Sequence, residues 1–230
     1  AIGGFIGTRL AVAGSCEVSA LARGATLQAL REHGWRLQMG DTWLQAPTQA
    51  TSDAAELGVQ DLVIIAVKGP ALTPVARSLS PLLGPHTVVM PAMNGVPWWF
   101  CTGQPGFGAT LESVDPGGHI AAAIPMDRVV GCVVHASVST LEPGVVQHRM
   151  GQGLIIGDPK VGSQTPDGSI SERVQRTVSL LSGAGFDAKA SGNIRHDIWY
   201  KLWGNLTMNP VSALTGATAD LILADPLVRG

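Results

Sequence analysis

The sequence predicts an α/β protein whose second part is helical. From residue 1 to residue 193, apolar runs of strand length alternate with segments of helical period, the pattern of helices packed on a largely parallel sheet. From residue 194 the strand-like runs stop and longer helical patterns begin. We therefore expect an α/β domain over residues 1–193 and the beginning of an all-helical domain over residues 194–230.

Composition restricts the class of function. The 230 residues carry a formal net charge of -2 and only 14% are charged, which does not favour a nucleic-acid partner. Three cysteines without a CxxC pair and six histidines without an HExxH spacing favour reduced thiols and no metal site. Neither a membrane span nor a signal peptide is predicted. We expect a cytoplasmic protein that acts on a small molecule.

The first elements predict a chain wound onto a sheet. A helix is predicted over AIGGFIGTRLAVAG, where Gly3 and Gly7 lie one turn apart and allow close packing. A strand over CEVSALAR precedes a second helix, ATLQALREHGW, which closes at Gly34. The next residues predict a hairpin around Gly40 and Asp41.

Two buried strands are predicted to end in polar residues. DLVIIAVKG is an apolar run typical of a central parallel strand covered on both faces, and it ends at Lys68. After a crossover helix over PALTPVARSLSPLLG, the strand HTVVMPAMNGV ends at Asn94. Ligands of open α/β sheets bind at the carboxyl ends of the strands, so Lys68 and Asn94 are candidate site residues. The alternative for both is a polar residue that only reaches water.

The second half of the sheet region predicts more strands and one helix. From Trp98 we expect a helix start followed by a loop rich in glycine and proline, and then a strand over RVVGCVVHASV. GVVQHRMGQGLIIGD predicts two strands joined by a turn from Gly151 to Gly153. A capping-box pattern from Ser169 to Glu172 predicts the start of a helix, and FDAKAS predicts the last strand.

The glycines near the start indicate a Rossmann-type nucleotide site. Gly3 stands where the third glycine of a G-x-G-x-x-G fingerprint would be, so we expect the first strand and two glycines to precede residue 1 of a longer protein. About 20 residues further on, NAD enzymes carry an acid, whereas this chain carries Arg23. A guanidinium pairs with a 2′-phosphate, so Arg23 favours NADP. The alternative is a solvated turn residue.

The stretch HDIWYKLWGNLTMNP predicts a helix with a polar stripe. Lys201, Asn205 and Asn209 are four residues apart and fall within about 80° of one another on one face. An amine flanked by two amides can present a proton donor and hydrogen bonds to an oxygen-rich ligand. The same spacing is also typical of the solvated side of an amphipathic helix.

Together these segments resemble ketopantoate reductases, the NADP-dependent 2-dehydropantoate 2-reductase family, over essentially the whole length. The resemblance is carried by AIGGFIGTRLA, LARGATLQALREHG, AVKGPAL, MNGV, VVHASVSTLEPGVVQH and, most specifically, KLWGNLTMNPVSALTGAT. It implies a Rossmann-type NADP-binding domain, a helical domain, and a substrate held between them. It also implies a role in the biosynthesis of pantothenate and coenzyme A.

The resemblance implies a role for each candidate residue. The lysine that matches Lys201 is the general acid, and Asn205 and Asn209 hold the substrate together with Asn94, which lies near the nicotinamide. The cofactor contacts that we predict are Ile2, Gly3, Arg23, Lys68, Asn94 and Ala136. Hydride transfer to a 2-keto group builds negative charge on its oxygen, which a lysine that can release a proton stabilises.

Two departures from the family pattern keep alternatives open. Ala219 occupies the position of a further substrate asparagine, and the family's later serine and glutamate have no counterpart before Gly230. The alternatives are an NADP-dependent hydroxyacid dehydrogenase of different substrate and a non-catalytic NADP-binding sensor. We expect the ligand to be a 2-keto acid, and a homodimer is one option for the assembly. We also expect poor solubility for a chain that lacks an inner strand of its sheet.

Overall fold

The computed structural model describes residues 1–108, 110–159 and 170–229. Its helices are α1 Ile2–Ala13, α2 Gly24–His33, α3 Leu72–Ser78, α4 His119–Ala123, α5 Glu172–Gly183, α6 Ile194–Thr215, α7 Ala219–Ala224 and α8 Pro226–Arg229. Its strands are β1 Ser19–Leu21, β2 Trp35–Met39, β3 Thr42–Ala46, β4 Gln49–Thr51, β5 Gln60–Ile65, β6 Leu83–Pro91, β7 Gly131–Glu142, β8 Val145–Gly157 and β9 Asp187–Ser191. The predicted α/β class with a helical end is confirmed.

Strand β8 organises the largest sheet. Its first part pairs with β2 in parallel and its last part pairs with β9 in parallel, while β7 runs antiparallel along its other edge. The hairpin predicted around Gly40 is confirmed by the antiparallel pairing of β2 with β3. Two parallel pairs, β1 with β4 and β5 with β6, lie beside this sheet. In the described part of the chain, β5 is paired along one edge only, whereas a central strand was expected.

Residues 145–157 form one strand, so the prediction of two strands with a turn is wrong. Gly151 has φ of 72°, and the pairing of β7 with β8 shifts register between His135 and Ser137. A Cβ atom at Gly151 would lie 2.5 Å from the backbone oxygen of His135. The glycine therefore makes a β-bulge, which lets the strand continue after one irregular step instead of reversing the chain.

One other predicted helix start is wrong and one is confirmed. Trp98 does not begin a helix: residues 98–103 form turns, and the next α-helix is α4. Helix α5 begins at Glu172, as the capping-box pattern predicts, with Ser171 as its N-cap and no side-chain capping bond from Ser171. Ser169, the first residue of that pattern, lies outside the described residues.

Helix α1 packs closely on the sheet because glycines lie at its points of contact with Trp35 and Val146. A Cβ atom at Gly7 would lie 2.7 Å from the ring of Trp35, and one at Gly4 would lie 2.5 Å from Val146. Phe5 and Ile6, between them, are each 1% exposed. Burying each such side chain stabilises the fold by about 1.5–3 kcal/mol, and the glycines make that burial possible.

Strand β7 separates two hydrophobic cores. Cys132 and Val134 point to the first core, which α1 and α5 cover, and Val133 points to the second. The second core contains the start of α6, since Ile194 and Ile198 are buried there. Members of the second core from other elements are Val63, Val89, Trp98, Trp99 and Ile120. Helix α6 is therefore held against the side of β7 that carries Val133.

None of the helices in the described ranges is long and apolar enough to cross a membrane. Within those same ranges, no group of three or more His, Cys, Asp or Glu side chains could hold a metal ion.

Replacing Gly7 by alanine tests the packing of α1. We expect Gly7→Ala to lower the free energy of unfolding by about 1–3 kcal/mol, because the new methyl group collides with Trp35. Gly204→Ala is the matched control: it also lies in a helix, but its added Cβ atom meets nothing within 4 Å. We expect this control to stabilise the protein by roughly 0.5–1 kcal/mol. Urea unfolding measures both, and equal stability of the two variants would contradict the packing argument.

Candidate active site

Helix α6 carries the lysine and two asparagines of the predicted site. At its start, the side-chain oxygen of Asn193 accepts a hydrogen bond from the backbone N–H of His196 at 3.2 Å. At its end, Gly216 adopts a left-handed conformation with φ of 68°. Pro210 lies inside the helix, where it has no N–H to donate to the carbonyl of Leu206. The helix predicted from the sequence is confirmed.

The start of the polar stripe faces the protein. On α6, Ile194 and Ile198 are buried, Lys201 and Asn205 are half-buried, and Asn209 is exposed. Apolar side chains on the other faces of the helix are open to solvent: Trp199 (55% exposed), Tyr200 (71%), Trp203 (69%) and Leu206 (58%). A solvated polar face thus describes Asn209 but not Lys201 or Asn205.

Burial changes the acidity of Lys201. It lowers the pKa of the ammonium below the ordinary 10.5, since moving a charged group away from water disfavours its charged form. A lysine with a lowered pKa is a stronger acid, so it gives up its proton more readily to a group that develops negative charge.

His135 is a neighbour of Lys201 that the sequence analysis did not identify as a site residue. Its pKa is lowered first by burial and then by the positive charge of Lys201, while Asp197 acts in the opposite direction. His135 directly precedes Ala136, a predicted cofactor contact, so Lys201 lies close to the part of β7 that carries both residues. Its position beside Ala136 in the VVHASV segment is the only sequence signal that could have singled it out.

A second group of predicted residues meets at the start of α1. The charge of Lys68 acts at the backbone nitrogen of Ala1, which places Lys68 near the first turn of this helix. A Cβ atom at Gly3 would lie 3.3 Å from that of Ala66, so Gly3 packs against the segment that leads to Lys68. The first turn carries no acidic residue and no side-chain cap. Its free N–H groups together with Lys68 suit an anion such as a phosphate.

Lys68 and Asn94 lie beyond the strands rather than at their last residues. Strand β5 ends at Ile65 and β6 ends at Pro91, so each polar residue follows its strand after a short connection. Beyond Pro91 one more bond joins the two chains, since the backbone N–H of Ala92 donates to the carbonyl of Ile65 at 2.8 Å. Lys68 and Asn94 are both exposed.

The remaining predicted cofactor residues are placed differently. Arg23 is the exposed N-cap of α2, in an extended conformation with φ of -137°. Ile2 and Ala136 are half-buried, and both pack against the first core. The structure thus brings together Lys68 with the start of α1, and Lys201 with β7. Arg23, Asn94 and Asn209 are each exposed.

Arg195 connects α6 to the segment that follows Asn94. Its Nε donates to the carbonyl of Phe100 at 2.7 Å, and its guanidinium also donates to the carbonyl of Thr102 at 2.8 Å. The rings of Phe100 and Trp199 are 6.2 Å apart. These contacts hold the helix that carries Lys201 against the connection that begins at Asn94.

Family models match both parts of the chain. Residues 1–160 match the model described as ketopantoate reductase PanE/ApbA, and residues 193–230 match the C-terminal model of the same family. A curated 2-dehydropantoate 2-reductase of Mesorhizobium japonicum is 43% identical over 231 residues, covering 100% of this chain and 69% of the relative.

Solved structures agree with the family models. A crystal structure from Ralstonia solanacearum, classed as a ketopantoate reductase, has 52% identity and a TM-score of 0.92, covering 100% of this chain and 69% of the other. D-mandelate dehydrogenase, solved with NADH and anilino(oxo)acetate, shares the fold at 19% identity with a TM-score of 0.77, covering 99% of this chain and 66% of the other. The resemblance inferred from the sequence motifs is confirmed, and the chain belongs to the ketopantoate reductase family.

Proposed function

We propose that this protein reduces 2-dehydropantoate to pantoate with NADPH and that Lys201 is the general acid. The carrying observation is the half-buried ammonium of Lys201, on the face of α6 that lies toward β7. The name of the Mesorhizobium relative supports the same reaction and substrate. The cytoplasmic location and the option of a homodimer stay predictions.

The residues of the chain suit the reduction of a 2-keto acid. A bound nicotinamide nucleotide supplies the hydride, and the carbonyl oxygen of the substrate then gains negative charge. The Lys201 ammonium stabilises that charge and transfers its proton to the oxygen, which completes the alcohol. Asn205 lies one turn further on the same half-buried face and orients the substrate by hydrogen bonding. Asn94 and Asn209, both exposed, complete the proposed set of substrate contacts.

The proposed cofactor site lies at the start of α1. The first-turn N–H groups at Ile2 and Gly3 and the amine of Lys68 suit the phosphates, because no acidic residue opposes them in that turn. Arg23, which follows β1, pairs with the 2′-phosphate that distinguishes NADPH from NADH. Asn94 and Ala136 complete the proposed set near the nicotinamide.

One observation favours a second candidate, a hydroxyacid dehydrogenase of different substrate. Ala219, the first residue of α7, occupies the place of the family's further substrate asparagine, and alanine offers no hydrogen bond there. D-mandelate dehydrogenase, solved with NADH and anilino(oxo)acetate, shows that this fold also serves a dehydrogenase of another substrate.

Oxidation of NADPH across a panel of 2-keto acids tests the function. We expect 2-dehydropantoate to give the highest kcat/KM among linear, branched and aromatic acids. A clear preference for another acid would select the second candidate. Tight NADPH binding without oxidation by any acid would select the non-catalytic sensor.

Replacing Lys201 tests the general acid. We expect Lys201→Ala to lower kcat by about 10²–10⁴-fold, because the alkoxide loses its proton donor, with nearly unchanged affinity for NADPH. Lys189→Ala, which removes an exposed lysine from β9, is the control and should keep full activity. Near-normal turnover of Lys201→Ala would refute the role.

The pH dependence of the reduction rate is a second test of Lys201. Because burial lowers the pKa of Lys201, its acid form is lost at a lower pH than that of an ordinary lysine. Reduction should therefore slow on the alkaline side before pH 10.5, the ordinary lysine pKa. Lys201→Arg keeps its charge at higher pH, so its residual activity should lack this alkaline decline.

Replacing Arg23 tests the cofactor preference. We expect Arg23→Gln to raise KM for NADPH about tenfold to a hundredfold, because a charge-assisted bond to the 2′-phosphate is lost. KM for NADH should change little, since NADH has no phosphate there. Equal effects on both cofactors would contradict the assignment.

A further inference from the structure

His135 lies on the side of β7 that faces α6. Side chains alternate along a strand, so Gly131, Val133 and His135 share one side. Ile194 of α6 lies over the first of these, since a Cβ atom at Gly131 would be 2.7 Å from its Cγ1. Val133 shares the second core with Ile194 and Ile198. His135 continues this side of β7 toward the next turns of α6.

Distances along the two elements match. Gly131 and His135 are separated by roughly 13 Å along a strand, and Ile194 and Lys201 by about 10 Å along a helix. With Ile194 over Gly131, a helix that follows the strand brings Lys201 to the neighbourhood of His135. The influence of the Lys201 charge on His135 agrees with this direction.

The surroundings of His135 contain few other charges. Within the described residues, the charged groups that act on it are Lys201 and Asp197, both on α6. Asp197 accepts a hydrogen bond from the hydroxyl of Ser191 and lies 3.8 Å from Nδ1 of His196. The adjacent strand β8 presents Gly153 opposite His135, with the would-be Cβ atom 3.2 Å from that of His135. Because Gly153 has no side chain, it leaves His135 partly open to solvent.

The backbone at His135 is fixed by the bulge. Its carbonyl oxygen lies against Gly151, and the register shift falls between His135 and Ser137. The bulge therefore sets where the imidazole stands relative to Ala136, the next residue of β7.

We propose that His135 is a substrate-binding residue of the reductase site, which in its protonated form adds a second positive charge beside Lys201 and strengthens binding of the substrate carboxylate. This inference rests on the proposed reduction of an anionic 2-keto acid. Two like charges repel, so the protonated form is disfavoured in the empty site and favoured when a carboxylate is bound between them. Substrate binding and proton uptake are then linked, and each promotes the other by the same factor.

The linkage has a definite sign. Burial and Lys201 both lower the pKa of His135 below the ordinary 6.5, so the ring is neutral at pH 7 and gains its proton as the pH falls. The carboxylate of a 2-keto acid stays ionised over this range. KM for the acid should therefore fall toward lower pH, while kcat, which depends on the proton of Lys201, changes little.

The pairing is tested by NMR titration of the His135 imidazole in the ligand-free protein. We expect Lys201→Gln to raise the pKa of His135, because a repelling charge is removed. Lys189→Gln removes an equal charge from exposed β9 and should leave the titration unchanged. If His135 titrates identically in the unaltered and Lys201→Gln proteins, the pairing is overturned, whether or not the protein oxidises NADPH.

The role of His135 in substrate binding is tested by measuring KM for 2-dehydropantoate at pH 8 and pH 5.5. We expect KM to be about threefold to tenfold lower at the acid pH in the unaltered protein. His135→Asn should remove this dependence, and His135→Lys should keep KM low at both pH values. An active protein whose His135→Asn variant retains the full dependence overturns this inference and leaves the reductase function intact. A protein that oxidises no NADPH with any 2-keto acid overturns both together, and this result needs no substitution to be seen.

Discussion

The close approach of α6 to the sheet is the contact on which the site geometry depends. Ile194 occupies the space that Cβ atoms at Gly131 and Gly157 would fill, at 2.7 and 2.9 Å. Side chains at these positions would push the helix away from β7 and β8. Arg195 then sets the rotation of α6 about its axis through its hydrogen bonds to the carbonyls of Phe100 and Thr102. Because a hydrogen-bonded helix is stiff, fixing its first turn also fixes Lys201 two turns later.

Local pattern predicted most elements of the fold but not the irregular ones. The first helix, the hairpin and the buried strands follow from periodicity and turn residues, which depend on neighbours in sequence. Gly151 was misread because a glycine with positive φ serves a turn and a bulge equally well, and the register of β7 decides between them. The helix start expected at Trp98 is wrong because the side chain of Trp98 is buried in the second core, most of whose members come from other elements.

The sequence predicted the spacing of the site residues on α6 but not which of them face the protein. A helical period places Lys201, Asn205 and Asn209 on related faces whatever surrounds them. The sequence could not predict which of these three residues face the protein, because the same helix exposes the large side chains of Trp199 and Trp203 to solvent. The docking of the first turn decides this, and it leaves Asn209 exposed. His135 escaped prediction because its effect on the site arises only when β7 and α6 come together.

Because of Pro210, the two ends of α6 differ in how well they tolerate substitutions. Up to Lys201 the helix is held by core contacts and by the hydrogen bonds of Arg195, so substitutions there would displace the side chain of Lys201. Near Pro210 one backbone bond of the helix is absent, and the surrounding residues are largely exposed. Mutations in this later segment can reshape the environment of Asn209 at little cost to stability. The helix thus has a tightly held first part, which carries Lys201, and a later part around Asn209 and Pro210 in which substitutions are tolerated more easily.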